Sequence, residues 1–296
     1  MAFRRVKRGC KHSFAITSLL LLTASYTKPE IQDFDLTNVI YQEEDKKIIE
    51  EAITSLWENR EAETSTLMQK SGEFFQGTPY VAHTLESGEE QLVINVREMD
   101  CTTYAEYCLA LAGTIQSAHP SFGQFATELQ KIRYRDGVIE GYPSRLHYFC
   151  DWIHNNEQKG LIKDMSKEIA NTPLSKPISF MSNHPDSYRK LKDNPPLVEV
   201  IARQEKEISE REMYYVPESR LAEVESKLQE GDIVGITTGV KGIAISHVGI
   251  LVKRSGRMHL LHASSAAEKV VVSETTLETY LVKSKSATGI MVARPL

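Results

Sequence analysis

Residues 246–262, SHVGILVKRSGRMHLLH, decide the fold, because two strand-like runs flank a short turn. Ser255-Gly256 is a plausible two-residue turn, and its register places Gly249 opposite His262. Side chains alternate along a strand, so His247, Gly249 and His262 share one face of the sheet. The two histidines are therefore predicted to be diagonal neighbours within side-chain reach.

A turn of odd length would shift this register and bring His259, in place of His262, to the face of His247. A histidine in an apolar strand is most often a buried core residue with satisfied hydrogen bonds. A general base, however, needs an orienting partner on its second nitrogen, and His262 can supply one. The hairpin therefore favours His247 as a general base oriented by His262 over His247 as a buried structural residue.

The rest of the chain shows helical patterns first and strand patterns last. Apolar residues recur at helical spacing over 43–59. Residues 62–75 are predicted to form a second helix, and 100–117, rich in Ala and Leu, a third. Short β-branched runs flank the hairpin late in the chain, one before it at 232–237 and two after it at 269–272 and 289–293. This order predicts an α+β fold in which N-terminal helices pack on a C-terminal antiparallel sheet. Residues 26–296 are predicted to be a single domain, with a helical insertion at about 120–230.

The first 25 residues differ from the remainder. Five Lys and Arg residues precede an apolar run from Phe14 to Ala24, and the small residues Ala24 and Ser25 follow. The run is shorter than the ~20 residues that a membrane span needs, and no cysteine follows it to carry a lipid. We therefore predict a cleaved secretory signal over 1–25, a periplasmic or extracellular location and no membrane anchor after cleavage.

Charge argues against nucleic acid as a partner. Removal of the signal leaves 30 Lys and Arg against 40 Asp and Glu, a net charge of −10. Such a protein repels phosphate backbones, and no basic patch offsets the balance. Its 41% hydrophobic and 25% charged residues are those of an ordinary globular protein.

Asp100-Cys101-Thr102-Thr103 opens a predicted helix, with Asp100 as its cap. The positive end of the helix dipole favours thiolate, so we expect a lowered pKa at Cys101. Free N–H groups there could also hold an oxyanion. The alternative is a buried structural cysteine. Cys108 lies too far along the same helix for a disulfide with Cys101, whereas Cys150 could pair with either.

Several segments together resemble the NlpC/P60 superfamily, and in particular its DUF1460 branch. The resemblance spans roughly residue 45 to the C-terminus. The matching segments are Gly77-Thr78-Pro79-Tyr80, residues 92–103, Ser144 to Phe149, Phe180 to Tyr188, Ser246 to Ile250, and His259 to Ser265.

The resemblance implies a papain-like fold and an N-acetylmuramoyl-L-alanine amidase that needs no cofactor or metal. By this carry-over Cys101 attacks, His247 is general base and acid, and His262 orients His247. Tyr80 would line the pocket near the oxyanion. His83 stands where the family's loop is expected to carry a small glycine, and its bulk could reshape the pocket. The implied partners are peptidoglycan fragments, that is, muropeptides.

Five further residues are candidates for substrate binding, and four of them also have a simpler explanation. Asp100 could contact a free amine or only cap its helix, and Ser246 directly precedes the base. Arg145 and His147, in a predicted aromatic helix, could contact ligand or only pack. Tyr215 could stack on a sugar or belong to an edge-strand core.

Three alternative functions stay open. An endopeptidase would cut the stem peptide between D-glutamate and the diamino acid. A binding module would keep the fold and bind muropeptides without turnover. A zinc site could form from Cys101, His247 and His262, but it lacks the close ligand pairs that zinc sites usually have.

Overall fold

The turn at Ser255 and Gly256 has positive φ at both residues, 51° and 81°. This is the conformation that a two-residue hairpin turn prefers, because its twist matches that of the strands. The strands pair from Arg254 opposite Arg257 to Ile250 opposite Leu261. The predicted register is confirmed.

The computed structural model of the protein describes residues 1–2, 34–86 and 88–296. The predicted signal segment 1–25 lies outside the described residues except for its first two. From residue 33 onward the chain forms one compact unit. Within the described ranges, no helix has the length and apolar character that crossing a membrane requires.

The described residues contain ten α-helices. These are α1 Glu43–Leu56, α2 Thr64–Phe74, α3 Cys101–Gln116, α4 Phe122–Arg133, α5 Phe149–Gln158, α6 Ser166–Ala170, α7 Phe180–Asn183, α8 Pro195–Ser209, α9 Leu221–Val224 and α10 Leu277–Lys283. The early helices match the helical patterns of the sequence, whereas α10 lies among the strands and was not predicted.

The same part of the chain contains ten strands. These are β1 Val39–Ile40, β2 Leu92–Val93, β3 Ile162–Asp164, β4 Thr172–Pro173, β5 Tyr214–Pro217, β6 Ile233–Thr238, β7 Ile245–Arg254, β8 Arg257–Ser264, β9 Lys269–Thr276 and β10 Ala287–Pro295. Eight of them form one sheet in the order β4-β5-β10-β6-β7-β8-β9, with β3 also beside β10. All pairings in this sheet are antiparallel. The predicted combination of helices and an antiparallel sheet is confirmed.

Two hydrophobic cores cover the two faces of the sheet. The main core joins buried residues of α1–α5 to one face, which includes Val248 and Ile250 of β7. The second core joins α9 and α10 to the other face, which includes Leu251 and Leu260. Neighbouring residues of β7 thus belong to different cores, as the alternation of side chains along a strand requires.

The segment from about 120 to 230 was predicted as a helical insertion, and it contains strands as well. β3 and β5 both pair with β10, so this segment also extends the sheet. A small third core formed by Tyr142, Met181, Leu191 and Ile201 lies within it.

The prediction that Arg145 and His147 lie in a helix is wrong. Pro143 lies in a short 3-10 turn, and α5 begins only at Phe149. The backbone between them is extended, since Arg145 pairs with Tyr134 in an isolated bridge.

Candidate active site

Cys101 is the first residue of α3, and Asp100 caps that helix. The Asp100 Oδ1 atom accepts hydrogen bonds from the N–H groups of Thr102 and Thr103, at 3.0 and 2.8 Å. In return the Thr103 Oγ1 atom accepts from the Asp100 N–H at 2.9 Å, which completes a capping box. Capping therefore occupies the Asp100 carboxylate, although Asp100 also lines the cavity described below.

The Cys101 thiol lies against the backbone of β7. It is half-buried. Burial, followed by the negative charge of Asp100, raises the pKa of the thiol to about 12, although the nearby Val248 N–H and Thr102 hydroxyl act in the opposite direction. The predicted lowering of the Cys101 pKa is therefore wrong for the resting site, because loss of hydration outweighs the helix N-terminus.

His247 and His262 form a hydrogen-bonded pair. Their Nε2 and Nδ1 atoms are 2.6 Å apart, and the two rings are nearly perpendicular, at 84°. Burial lowers the pKa of His247 to about 4. Burial, and then the proximity of His247, lowers the pKa of His262 to about 3. Both imidazoles are therefore neutral near pH 7, and one N–H lies between them.

The thiol and the imidazoles come from opposite faces of the sheet. His247 lies opposite Ile236, which belongs to the second core, so its side chain points to that face. α3 packs on the other face, in the main core with Val248. Cys101 therefore shares its face of the sheet with Val248, the residue that follows His247 in β7.

A cavity of about 530 Å³ has both Cys101 and His247 in its wall. Of the predicted substrate-binding residues, Asp100, Ser246, Arg145 and His147 also line it. The segment that follows α4 contributes most of the remaining wall, with the aromatic side chains of Tyr142, Tyr148, Phe149, Phe180 and Tyr188.

Arg145 and His147 both line the cavity and hold its wall together. Arg145 is 7% exposed, and it forms ion pairs with Glu86 at 2.8 Å and Glu90 at 3.3 Å. His147 Nε2 lies 2.8 Å from the Tyr142 carbonyl oxygen. Burial, together with the charge of Arg145, lowers the pKa of His147 to about 3. Packing and access to ligand are thus combined in these residues.

Tyr80 and Tyr215, both predicted to contact substrate, differ in where the structure places them. Burial and the nearby charges of Cys101 and Asp100 raise the pKa of Tyr80, so its hydroxyl lies within electrostatic reach of the thiol. Tyr80 does not line the cavity, so that part of its prediction is wrong. Tyr215 lies opposite Thr172 at the junction of β4 and β5, and it packs against the main core. It does not line the cavity, so the predicted sugar contact of Tyr215 is not supported by its position.

His83 lies on the rim of the cavity with a left-handed backbone, at φ 64°. Glycine adopts this conformation without steric cost, whereas a residue with a Cβ is strained there. The position is therefore one that suits the glycine expected from the family resemblance.

Two features of the site were missed from the sequence. Tyr280, on α10, packs against both imidazoles, with ring centroids 6.4 Å from His247 and 5.5 Å from His262. A buried ion pair between Glu106 and Arg133, at 2.7 Å, lies in the cavity wall. No local pattern marks Tyr280, since α10 interrupts a run of strands.

Cys101, Cys108 and Cys150 are free thiols. Within the described residues, no group of three or more His, Cys, Asp or Glu side chains is arranged to hold a metal ion.

Comparisons with known proteins place this geometry in a family. The family model of N-acetylmuramoyl-L-alanine amidase-like proteins matches residues 70–290. An N-acetylmuramoyl-L-alanine amidase from Bacteroides uniformis is 41% identical, with a TM-score of 0.76 over 78% of this chain and 98% of that one. A Bacteroides fragilis protein described as a candidate xylanase is 44% identical, with a TM-score of 0.73 over 76% of this chain and 99% of that one.

A more distant structure shares the fold. It is a DUF1460 protein from Legionella pneumophila, 23% identical, with a TM-score of 0.64 over 86% of this chain and 95% of that one. A search of curated proteins found no match. The extent of the family match and the identity to the B. uniformis structure agree: the chain belongs to the N-acetylmuramoyl-L-alanine amidase-like family.

Proposed function

We propose that this protein is a cysteine hydrolase of the papain-like NlpC/P60 type. Its proposed substrate is the amide bond between the lactyl group of N-acetylmuramic acid and L-alanine in muropeptides. The observation that carries the proposal is that Cys101 and His247 line one cavity, and that His247 is hydrogen-bonded to His262. Membership of the amidase-like family supports the choice of bond.

The geometry of the pair supports His247 as the base. Its Nε2 atom is engaged by His262, which leaves Nδ1 to take the proton of the thiol. This requires the tautomer in which His247 donates its Nε2–H to His262. Because the thiol pKa is raised and the imidazole pKa values are lowered, the resting pair is neutral. Deprotonation then accompanies attack, as in general-base catalysis.

The proposed reaction proceeds in two halves. The Cys101 proton moves to His247 as the sulfur bonds to the amide carbon. The C–N bond then breaks, the amine of L-alanine takes the proton from His247, and a thioester remains. Water then attacks the thioester and gives its proton to His247. The C–S bond breaks, and His247 returns the proton to the sulfur.

The oxyanion needs donors near the sulfur. Asp100 already occupies the N–H groups of Thr102 and Thr103. The N–H of Cys101 itself is the first-turn donor that Asp100 does not occupy. With the Tyr80 hydroxyl, it is our proposed oxyanion site. One such donor contributes about 10²–10³ in rate.

The composition of the cavity supports a muropeptide as the ligand. Aromatic side chains can stack on sugar rings, and polar groups among them can bind hydroxyl and amide groups. The predicted export of the chain would bring it to the cell wall, and its net negative charge disfavours nucleic acid.

Digestion of a defined muropeptide, analysed by mass spectrometry, tests the proposal. We expect the free sugar lactyl acid and an intact stem peptide as products. Cys101→Ala should abolish product formation while muropeptide binding persists, whereas Cys108→Ala, on the buried side of the same helix, should retain activity. An unchanged product yield in Cys101→Ala would refute the thiol mechanism.

The same assay separates the other candidates. A released dipeptide would indicate the endopeptidase, and binding without any product would indicate a binding module. Hydrolysis of xylan in place of the muropeptide would indicate the activity in the description of the B. fragilis relative. Loss of activity with a chelator would support a metal site.

The orienting role of His262 has a matched control in the next histidine of the strand. His259 points to the opposite face, where its Nδ1 atom lies 2.9 Å from the Ser273 carbonyl oxygen. His262→Ala should lower kcat by about 10²–10⁴ through loss of the correct tautomer. His259→Ala should leave kcat nearly unchanged. Equal losses in both variants would contradict the assignment.

A further inference from the structure

Tyr280 completes a cluster of three rings with the imidazole pair. Its ring is nearly parallel to His247, at 22°, and nearly perpendicular to His262, at 85°. His247 and His262 are themselves perpendicular, with centroids 4.8 Å apart. Edge-to-face contacts of this kind suit the charge distribution of aromatic rings and fix their relative orientation.

We propose that Tyr280 is a positioning residue that holds the His247–His262 pair in its base-competent arrangement, acting through its ring. The inference rests on the proposed function, because it concerns the same base.

The helix that carries Tyr280 is firmly anchored. Leu277 and Leu281 are 1% and 0% exposed and belong to the second core. Thr276 caps the helix by accepting a hydrogen bond from the Thr279 N–H. Tyr280 itself is partly buried and packs against the same core, which sets the position of its ring. The imidazoles thus meet a fixed aromatic wall on the side of the second core.

His247 has particular need of such a wall. One side of its ring faces the cavity, and its only side-chain hydrogen bond among the described residues goes to His262. A ring with one bond can turn about it, and a turned ring would present no free nitrogen to Cys101. Contact with Tyr280 on the far side restricts this rotation.

The ring of Tyr280, rather than its hydroxyl, makes these contacts. Within the described part of the chain, the Tyr280 hydroxyl forms no hydrogen bond with another side chain or the backbone. When His247 accepts the thiol proton, an aromatic ring next to the pair also favours the positive charge. The titratable groups around the pair are the Tyr280 hydroxyl of α10 and the Cys101 thiol of α3. Burial, and then the charge of Cys101, raises the pKa of Tyr280, and Tyr80 lies close to the same thiol.

Two substitutions separate the ring from the hydroxyl. Tyr280→Phe retains the ring and should keep kcat unchanged. Tyr280→Leu removes the ring and should lower kcat by about 3- to 30-fold with KM unchanged. Val282→Ala, at a position on the same helix that is 64% exposed, is the matched control and should behave as the unchanged protein.

A substrate-free readout distinguishes positioning from mere stability. In the Cys101→Ala background, the ¹⁵N shifts of His247 should show a single tautomer with Nε2 protonated. Addition of Tyr280→Leu should give mixed tautomers, whereas Tyr280→Phe should not. Should Tyr280→Leu fail to fold, Tyr280→Met removes the ring while filling more of its volume.

Two results would overturn the inference: an unchanged kcat and ¹⁵N spectrum in the ring-less variant, or an equal loss in Tyr280→Phe. Failure of the proposed function is separate from both. It would appear as full hydrolysis by Cys101→Ala, whereas the tautomer measurement needs no substrate.

Discussion

Gly249 occupies the narrow space between the strands of the imidazole pair, and Gly249→Ala tests that geometry. A Cβ at this position would lie 2.5 Å from Leu260 Cδ1, 2.8 Å from Leu260 Cγ and 3.1 Å from His262 Cβ. Leu260 and His262 are 0% and 3% exposed, so neither side chain can swing into solvent. The added methyl group must therefore push the strand that carries His262 away from β7.

The cost of this change has a structural and a functional part. Overpacking of a buried site destabilises by about 1–3 kcal/mol. For a domain of this size each kcal/mol lowers the melting temperature by roughly 2–4 °C. Displacement of His262 also lengthens the 2.6 Å bond to His247. A misplacement of about 1 Å in a catalytic group can lower the rate about 100-fold.

Thermal unfolding and kcat should both be measured, with Gly239→Ala as the control. A Cβ at Gly239 would meet only the Ser286 carbonyl oxygen, at 3.8 Å, which is an ordinary contact. We expect the folded Gly249→Ala variant to lose more activity than its unfolded fraction explains. Wild-type melting temperature and kcat in this variant would refute the packing argument.

Three other perturbations have defined outcomes. The activity should fall on the acid side with a midpoint near pH 4 rather than 6.5, because the base works when neutral and burial lowers the pKa of His247 to about 4; a pH–rate profile checks this. The unfolded state takes up protons at these histidines below about pH 6.5, whereas the folded state does so only near pH 4 and 3. The free energy of unfolding should therefore decrease as the pH is lowered through this window. A midpoint near 6.5 would show an imidazole that is not buried. His83→Gly should raise stability by about 1 kcal/mol through relief of its left-handed backbone, and a lower melting temperature would contradict this. Glu106→Gln should lower the free energy of unfolding, measured in urea, by about 3–5 kcal/mol, because it leaves the charge of buried Arg133 without its partner. An unchanged free energy of unfolding would show that this charge is compensated elsewhere.

Local patterns predicted the parts of the fold that local physics controls. Local patterns before residue 117 indicated α1, α2 and α3: α1 and α2 each bury one face, whereas α3, rich in Ala and Leu, is buried on nearly all sides. The turn at Ser255-Gly256 fixed the register of the hairpin, since its length leaves a single pairing. That register brought His247 and His262 to one face before any long-range contact was known.

Features that depend on distant parts of the chain were not predictable in this way. β3 and β5 are short, and each pairs with β10, a strand more than 70 residues later in the chain. The raised pKa of Cys101 comes from burial by the whole assembly, which outweighs the local effect of the helix start. Tyr280 reaches the imidazoles through α10, whose position depends on the second core.

The thiol and the imidazoles come from opposite faces of one sheet. Different parts of the core therefore determine the positions of the nucleophile and the base. Nucleophile placement depends on how the helical layer packs, whereas base placement depends on Leu260, Leu277 and Leu281 on the far side. Substitutions in that remote layer can therefore retune proton transfer while leaving the substrate cavity untouched. Screens for altered pH dependence would find their variants there, among residues that no ligand contacts.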